Sequence, residues 1–221
     1  MLACLPLIGI FIGAVWALAA FLLAHFACPA PISAFVLAVL PFLLTGFLHL
    51  DGYSDVCDAI LSRRDLETRQ RILKDPHIGA FGVIAIVLLL IAQFALFLSA
   101  KVPEASFSSL LPLALIPVAT RSCASMAVML LRPMKTSQYA YMDRASAKKH
   151  LPLPALMLAA SIALPLVLCG LHGLAPIAAA AGYCLFTLRG VKNLDGMNGD
   201  ISGYALTLAE LLGIAIFVFV K

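Results

Sequence analysis

The sequence predicts an all-α fold, a polytopic transmembrane helical bundle of about seven spans, on three observations. Of the 221 residues, 63% are hydrophobic and only 12% are charged, with a mean hydropathy of +1.05. A water-soluble domain of this size carries about 25% charged residues to cover its surface. Apolar runs of bilayer length recur along the whole chain, and Lys and Arg collect in every other connection between them. The chain reads as a single membrane domain, residues 1–221.

The runs fall at 3–24, 32–50, 77–99, 108–131, 151–170, 174–190 and 203–220. The first is expected to be a retained span, because it lacks the basic n-region and small-residue cleavage site of a signal peptide and exceeds its usual apolar length. Pro112, Pro117 and Pro165 interrupt later runs and predict kinks. The connections near 25–31, 100–107 and 171–175 are short, with Lys101 as their only Lys or Arg. Segments 51–76, 132–150 and 189–202 are rich in charge. They carry Arg63, Arg64, Arg69, Arg71, Lys74, Arg132, Lys135, Arg144, Lys148, Lys149, Arg189 and Lys192, against Lys101 and Lys221 on the other side. That imbalance places the three segments in the cytoplasm, the N-terminus inside and the C-terminus outside. The six cysteines are scattered, without a CxxC pair, and indicate neither a disulfide framework nor a zinc site. Nothing points to nucleic acid, and nothing sets an oligomeric state.

Six of the eleven acidic residues lie between Asp51 and Asp75. Asp51, Asp55 and Asp58 are spaced i, i+4, i+7, which stacks them on one helical face. Such a stack repels itself unless a cation joins it, and carboxylate oxygens suit a hard ion such as Mg²⁺ or Mn²⁺. A solvated loop start with capping aspartates is the plainer alternative; the absence of any basic residue inside the triplet argues against it. Carboxylates at the end of a span are seldom without a function.

The following stretch, Arg63 to Lys74, offers the cations that a polyphosphate substrate needs, with Arg63, Arg64 and Lys74 as candidate contacts. Headgroup contact and topology are the structural alternative. Asp75 could add a fourth metal ligand, and Gly79 and Gly82 would let the backbone approach a phosphate closely. His49 and His77 flank the segment as a candidate base and phosphate contact. A second acidic cluster, Asp195-Gly196-Met197-Asn198-Gly199-Asp200, opens the last span. Asp195 and Asp200 are either the other half of the site or a turn with Asp200 near a helix N-cap. Arg121 and Glu210 lie within spans and should face the bundle interior, paired with one another or with Arg121 reaching a substrate phosphate.

The run His49-Leu50-Asp51-Gly52-Tyr53-Ser54-Asp55-Val56-Cys57-Asp58, with Lys74-Asp75-Pro76-His77-Ile78-Gly79-Ala80-Phe81-Gly82-Val83 after it, resembles the cobalamin synthase family, the adenosylcobinamide-GDP ribazoletransferases. Order and spacing match along most of the chain, including the early Pro6-Leu7-Ile8-Gly9. Ala59 stands where the family has glycine and Leu73 where it has methionine; Asp195 and Asn198 replace a glycine and a threonine in the late motif. Part of the family's N-terminal segment is expected to be missing.

The resemblance implies a membrane-bound, Mg²⁺-dependent transferase that joins adenosylcobinamide-GDP, a corrinoid nucleotide, with the nucleoside α-ribazole or its 5′-phosphate, and releases GMP. Asp51, Asp55, Asp58 and Asp75 would then hold the metal, with one of these carboxylates or His49 as the base. Two other readings start from the same aspartates: a phosphotransferase of the CDP-alcohol type, and a cation transporter. The first expects an Asp-x-x-Asp-Gly-x-x-Ala-Arg pattern that is absent, and the second expects its carboxylates at the bilayer midplane.

Overall fold

The computed structural model describes residues 2–100 and 107–220, and among these it is helical without a named strand. A 3₁₀ turn, Leu2–Cys4, leads into α1 (Leu5–His25), followed by α2 (Ala30–Leu44) and α3 (Leu48–Leu61). Next come α4 (Leu66–Ile72), α5 (Ala80–Ser99), α6 (Phe107–Leu130) and α7 (Arg144–Lys148). α8 (Pro152–Cys169) passes through a second 3₁₀ turn, Gly170–Gly173, into α9 (Leu174–Leu194), and α10 (Gly199–Phe219) ends the bundle.

Five stretches are long and apolar enough to cross a membrane, or six if the bent pair α2–α3 counts as one. The expected runs map onto α1, α2, α5, α6, α8, α9 and α10. The count is lower than seven because α8 and α9 fall in one stretch, Arg144–Leu194. Lys101 and Lys221, expected outside, lie beyond the described residues.

α6 and α10 form the centre. α10 packs on α9, α3, α6 and α5, while α6 also meets α1, α8 and α9. Where α6, α9 and α10 meet, small residues dominate: Ala119 and Ala124 of α6, Ala180 of α9, Ala205 and Ala209 of α10. Small side chains let helix backbones approach, which is how helices associate in lipid, where burying apolar surface gives little drive. α1 follows the same rule: a Cβ on Gly9 would lie 2.5 Å from the Pro117 carbonyl oxygen. The outer helices turn apolar side chains outward, as Leu88 of α5 and Val167 of α8 do, both more than half exposed. That is the surface expected against hydrocarbon.

The second run departs from expectation. Instead of one span over 32–50, the chain bends by 92° between α2 and α3. Gly46 (φ +59°) and Phe47 (φ +62°) are consecutive left-handed residues, a conformation that turns the chain sharply and that costs a bulky side chain energy. The Asp51–Asp58 segment is therefore part of a helix running across the axis of α2, not a loop after a span. α3 is built for that place: Leu50, Tyr53, Val56, Cys57 and Ala59 are buried, and Tyr53 stacks on Tyr204 of α10 at 6.0 Å between ring centres.

The three basic segments meet at one end of the bundle. Arg69 Nη1 donates to Asn193 Oδ1 at 2.8 Å, and Gln70 Nε2 donates to the Leu194 carbonyl at 2.8 Å. The Met197 N–H donates to the Arg132 carbonyl and the Met134 N–H to the Met197 carbonyl, a small bridge that Arg132 and Asp195 close with an ion pair.

Candidate active site

A pocket of about 290 Å³ opens at the bend between α2 and α3. Asp51, Ser54 and Asp55 supply its polar side, and Phe47, Leu50, Ile78 and Ile86, with Pro76, supply an apolar one. The predicted stack of aspartates thus exists, and it runs inward: Asp51 is exposed, Asp55 half-buried and Asp58 buried.

The two acidic clusters meet here, through one residue only. Gly52 of α3 lies against the α10 backbone, where a Cβ would be 2.9 Å from the Asp200 Cα. Asp200 is thereby close enough to Asp51 and Asp55 for their charges to act on one another. Asn198 is the N-cap of α10, two residues before Asp200: its Oδ1 accepts from the Ile201 N–H at 2.9 Å. Its Nδ2 donates to Asp200 Oδ2 at 2.7 Å and orients that carboxylate. Asp195, expected beside Asp200, instead turns away at the left-handed end of α9 and pairs with Arg132, so it is not part of the site.

Asp58 does different work from its two neighbours. Its Oδ2 accepts the Gly79 N–H at 2.7 Å, placing a carboxylate at the start of α5, where the helix dipole favours it. Gly79 and Gly82 are glycine because a Cβ on either would collide with the Asp58 carboxylate, and at Gly82 also with Ser54. They make room for α3, a reason for glycine other than the expected approach to a phosphate. Asp75 was expected with the metal ligands; it is exposed and bound to His77, whose Nδ1 lies 2.8 Å from its Oδ1. The His77 backbone N–H donates to the same oxygen at 3.0 Å and holds the Asp75 carboxyl below its usual range. Both stand on the exposed loop at the pocket rim, beside Pro76 and Ile78.

Arg63 and Arg64 follow the far end of α3, about 18 Å along its axis from Asp51, and do not line the pocket. Lys74 is exposed next to the rim loop, and among the described residues it makes no ion pair. Arg121 is not free for substrate. It is buried, with Nη1 2.5 Å from Glu210 Oε1 and 3.4 Å from the Pro117 carbonyl, and Thr120 adds a hydrogen bond to the same glutamate oxygen. His49 lies near enough to Arg121 to feel its charge, is absent from the pocket lining, and its carbonyl accepts from Thr207 Oγ1 at 3.3 Å.

Ser54 was missed. It is 2% exposed, and its Oγ has no hydrogen-bond partner. A buried hydroxyl without a partner is costly and calls for a ligand or water. Its signal in the sequence was its place three residues after Asp51, on the same helical face.

The donors at the pocket are all oxygen, and among the described residues no Lys or Arg pairs with Asp51, Asp55 or Asp200. That composition fits a hard divalent cation. No three His, Cys, Asp or Glu among the described residues already form a closed metal group. Mg²⁺ commonly binds by one or two carboxylates, completed by substrate phosphates and water.

The fold and the pocket together define a polytopic helical membrane protein with an acidic, oxygen-lined site at the end where its basic segments gather. The chain belongs to the cobalamin-5-phosphate synthase family, whose model matches residues 1–218. It is 37% identical over 211 residues to an adenosylcobinamide-GDP ribazoletransferase of Clostridium perfringens, covering 95% of this chain and 83% of that one. It is similar as well to proteins of the same name from Clostridium botulinum (32% identity; 97% and 84% covered) and Pseudomonas putida (36%; 97% and 87%). No solved structure matches.

Proposed function

We propose that this chain transfers the cobinamide phosphate of adenosylcobinamide-GDP to α-ribazole or its 5′-phosphate. The observation that carries the reading is the pairing of Asp51 and Asp55 on one pocket without a basic partner, with Asp200 near enough to add its charge, in a member of this family. In the step, a ribose hydroxyl oxygen forms a bond to the phosphorus bound to cobinamide. The bond from that phosphorus to the GMP oxygen breaks, and GMP leaves with the electron pair. The hydroxyl proton passes to a pocket carboxylate, Asp51 or Asp55, both of which reach the pocket whereas His49 does not. Asp200, held by Asn198, adds its charge to theirs from α10.

Asp51, Asp55, Asp200 and the Ser54 hydroxyl would hold Mg²⁺ together with the substrate phosphates. When bound, that ion would offset the charge of the diphosphate and its leaving group. Lys74, at the rim, balances further phosphate charge. Family membership does not favour the CDP-alcohol or transporter readings. The gathering of twelve Lys and Arg in three segments that meet at one end supports a cytoplasmic site in the cell's inner membrane, with the N-terminus inside and the C-terminus outside.

The test is turnover by purified protein in nanodiscs with Mg²⁺, adenosylcobinamide-GDP and α-ribazole phosphate. GMP and a cobalamin product are expected in equal amounts, lost on chelation and in Asp51→Asn. No product where a C. perfringens relative is active would overturn the reading.

A further inference from the structure

The pocket has two chemically distinct walls, and the reaction has two substrates of very different size. About 290 Å³ lies at the small end of ligand pockets, and a corrinoid nucleotide is several times larger than a nucleoside. A ribazole is a flat, methylated aromatic base on a polar ribose. One wall of the pocket is apolar, with Phe47 46% and Ile78 55% exposed and Ile86 half-buried. The other presents the carboxylates of Asp51 and Asp55, with Ser54 buried behind them against Gly82.

We propose that this pocket is the subsite of the acceptor nucleoside: its base lies against Phe47, Ile78 and Ile86, its hydroxyls reach Asp51 and Asp55, and the corrinoid stays outside the rim. The assignment rests on the proposed reaction and adds which substrate the pocket takes and which residues select it. A ribose hydroxyl at this wall would find carboxylate acceptors that no Lys or Arg of the described residues occupies. It would also stand beside the carboxylates that accept its proton. The base would cover apolar side chains that otherwise stand exposed at the pocket mouth. The left-handed conformation of Phe47, unfavourable for a large side chain, is what turns its ring to the mouth at the α2–α3 bend.

Steady-state kinetics of Ile86→Ala and Phe47→Ala in nanodiscs, with each substrate varied in turn, tests this. Ile86 lies within α5, away from the bend, so its variant stays informative if Phe47→Ala fails to fold. For Ile86→Ala the KM for α-ribazole is expected to rise about tenfold, the scale of lost apolar contacts in a pocket, with that for adenosylcobinamide-GDP unchanged within about twofold. Wild-type preference for the dimethylated base over plain benzimidazole riboside is expected to shrink in the same variant. An equal rise in the corrinoid KM, or no change in either, overturns the assignment while leaving the reaction standing. A wild-type protein that makes no product removes the reaction itself, and this inference with it.

Discussion

At its first turn α10 presents Asp200 to two further carboxylates with no basic partner among the described residues, whereas ten residues on Glu210 of the same helix is ion-paired with Arg121 at 2.5 Å. The two places lie about 15 Å apart along the axis. The inner one is closed: Glu210 and Arg121 are each 3% exposed, and Thr120 and the Pro117 carbonyl bond to them as well. The outer one is open, and its charges repel. A buried charge that is fully paired can be explained by the fold alone, since leaving it unpaired costs more than pairing it. A set of like charges gathered at a pocket is not explained by stability, and a bound cation or a proton has to offset it. The comparison separates the structural ionisable groups of this chain from the functional ones.

The largest effect is expected at the open end. Asp55→Asn should lower kcat/KM by about 10³-fold, roughly 4 kcal/mol of transition-state stabilisation. Its thermal stability should be unchanged or raised, because the substitution removes repulsion with Asp51, Asp58 and Asp200. A variant that lost activity only in proportion to lost folded protein would erase the distinction.

At the closed end the pattern should invert. Glu210→Ala leaves the Arg121 guanidinium buried without its carboxylate, which costs about 3 kcal/mol and lowers Tm by about 10 °C in detergent. Replacing both partners with apolar residues, Arg121→Met with Glu210→Leu, should recover most of that loss. Activity per folded molecule should then remain near wild type. A double variant that is stable but inactive would move Arg121 into the site.

The spans were legible in the sequence because hydropathy over some twenty residues is a strong signal, and α1, α5, α6, α8, α9 and α10 follow it. The bend was not. Phe47, Leu48 and Leu50 continue the apolar run of α2 without a break, and only Gly46 hints that two left-handed residues follow. Asp51 and Asp55 were legible because i, i+4 spacing is a property of one helix. The roles of Asp58, Gly79 and Gly82 were hidden because they arise between helices, where sequence distance says nothing about contact. Asp195 and Asp200 looked equivalent in sequence. The left-handed turn at Asp195 (φ +61°) sends one outward to Arg132, while the Asn198 amide holds the other near Asp51. The Arg121–Glu210 pair was foreseen as one of two options, and its geometry removes Arg121 from the substrate contacts.

The smallest effect sharpens the comparison from a third place, the Arg132–Asp195 pair. It is an ion pair like Arg121–Glu210, but its side chains are 66% and 55% exposed. Water already solvates both partners, so removing one strands little charge, and an exposed pair contributes at most about 1 kcal/mol. The backbone bonds from Met197 N–H to the Arg132 carbonyl and from Met134 N–H to the Met197 carbonyl do not depend on the side chain. Arg132→Ala should therefore lower Tm by no more than about 3 °C. The difference from wild type should fade as salt is raised, since ions screen an exposed pair and not a buried one. Turnover should stay near wild type, because Asp195 does not line the pocket. A large loss of turnover with Tm intact would place the Asp195 turn back in the site with Asp200, and a salt-insensitive loss of stability would make this pair a second closed charge like Glu210.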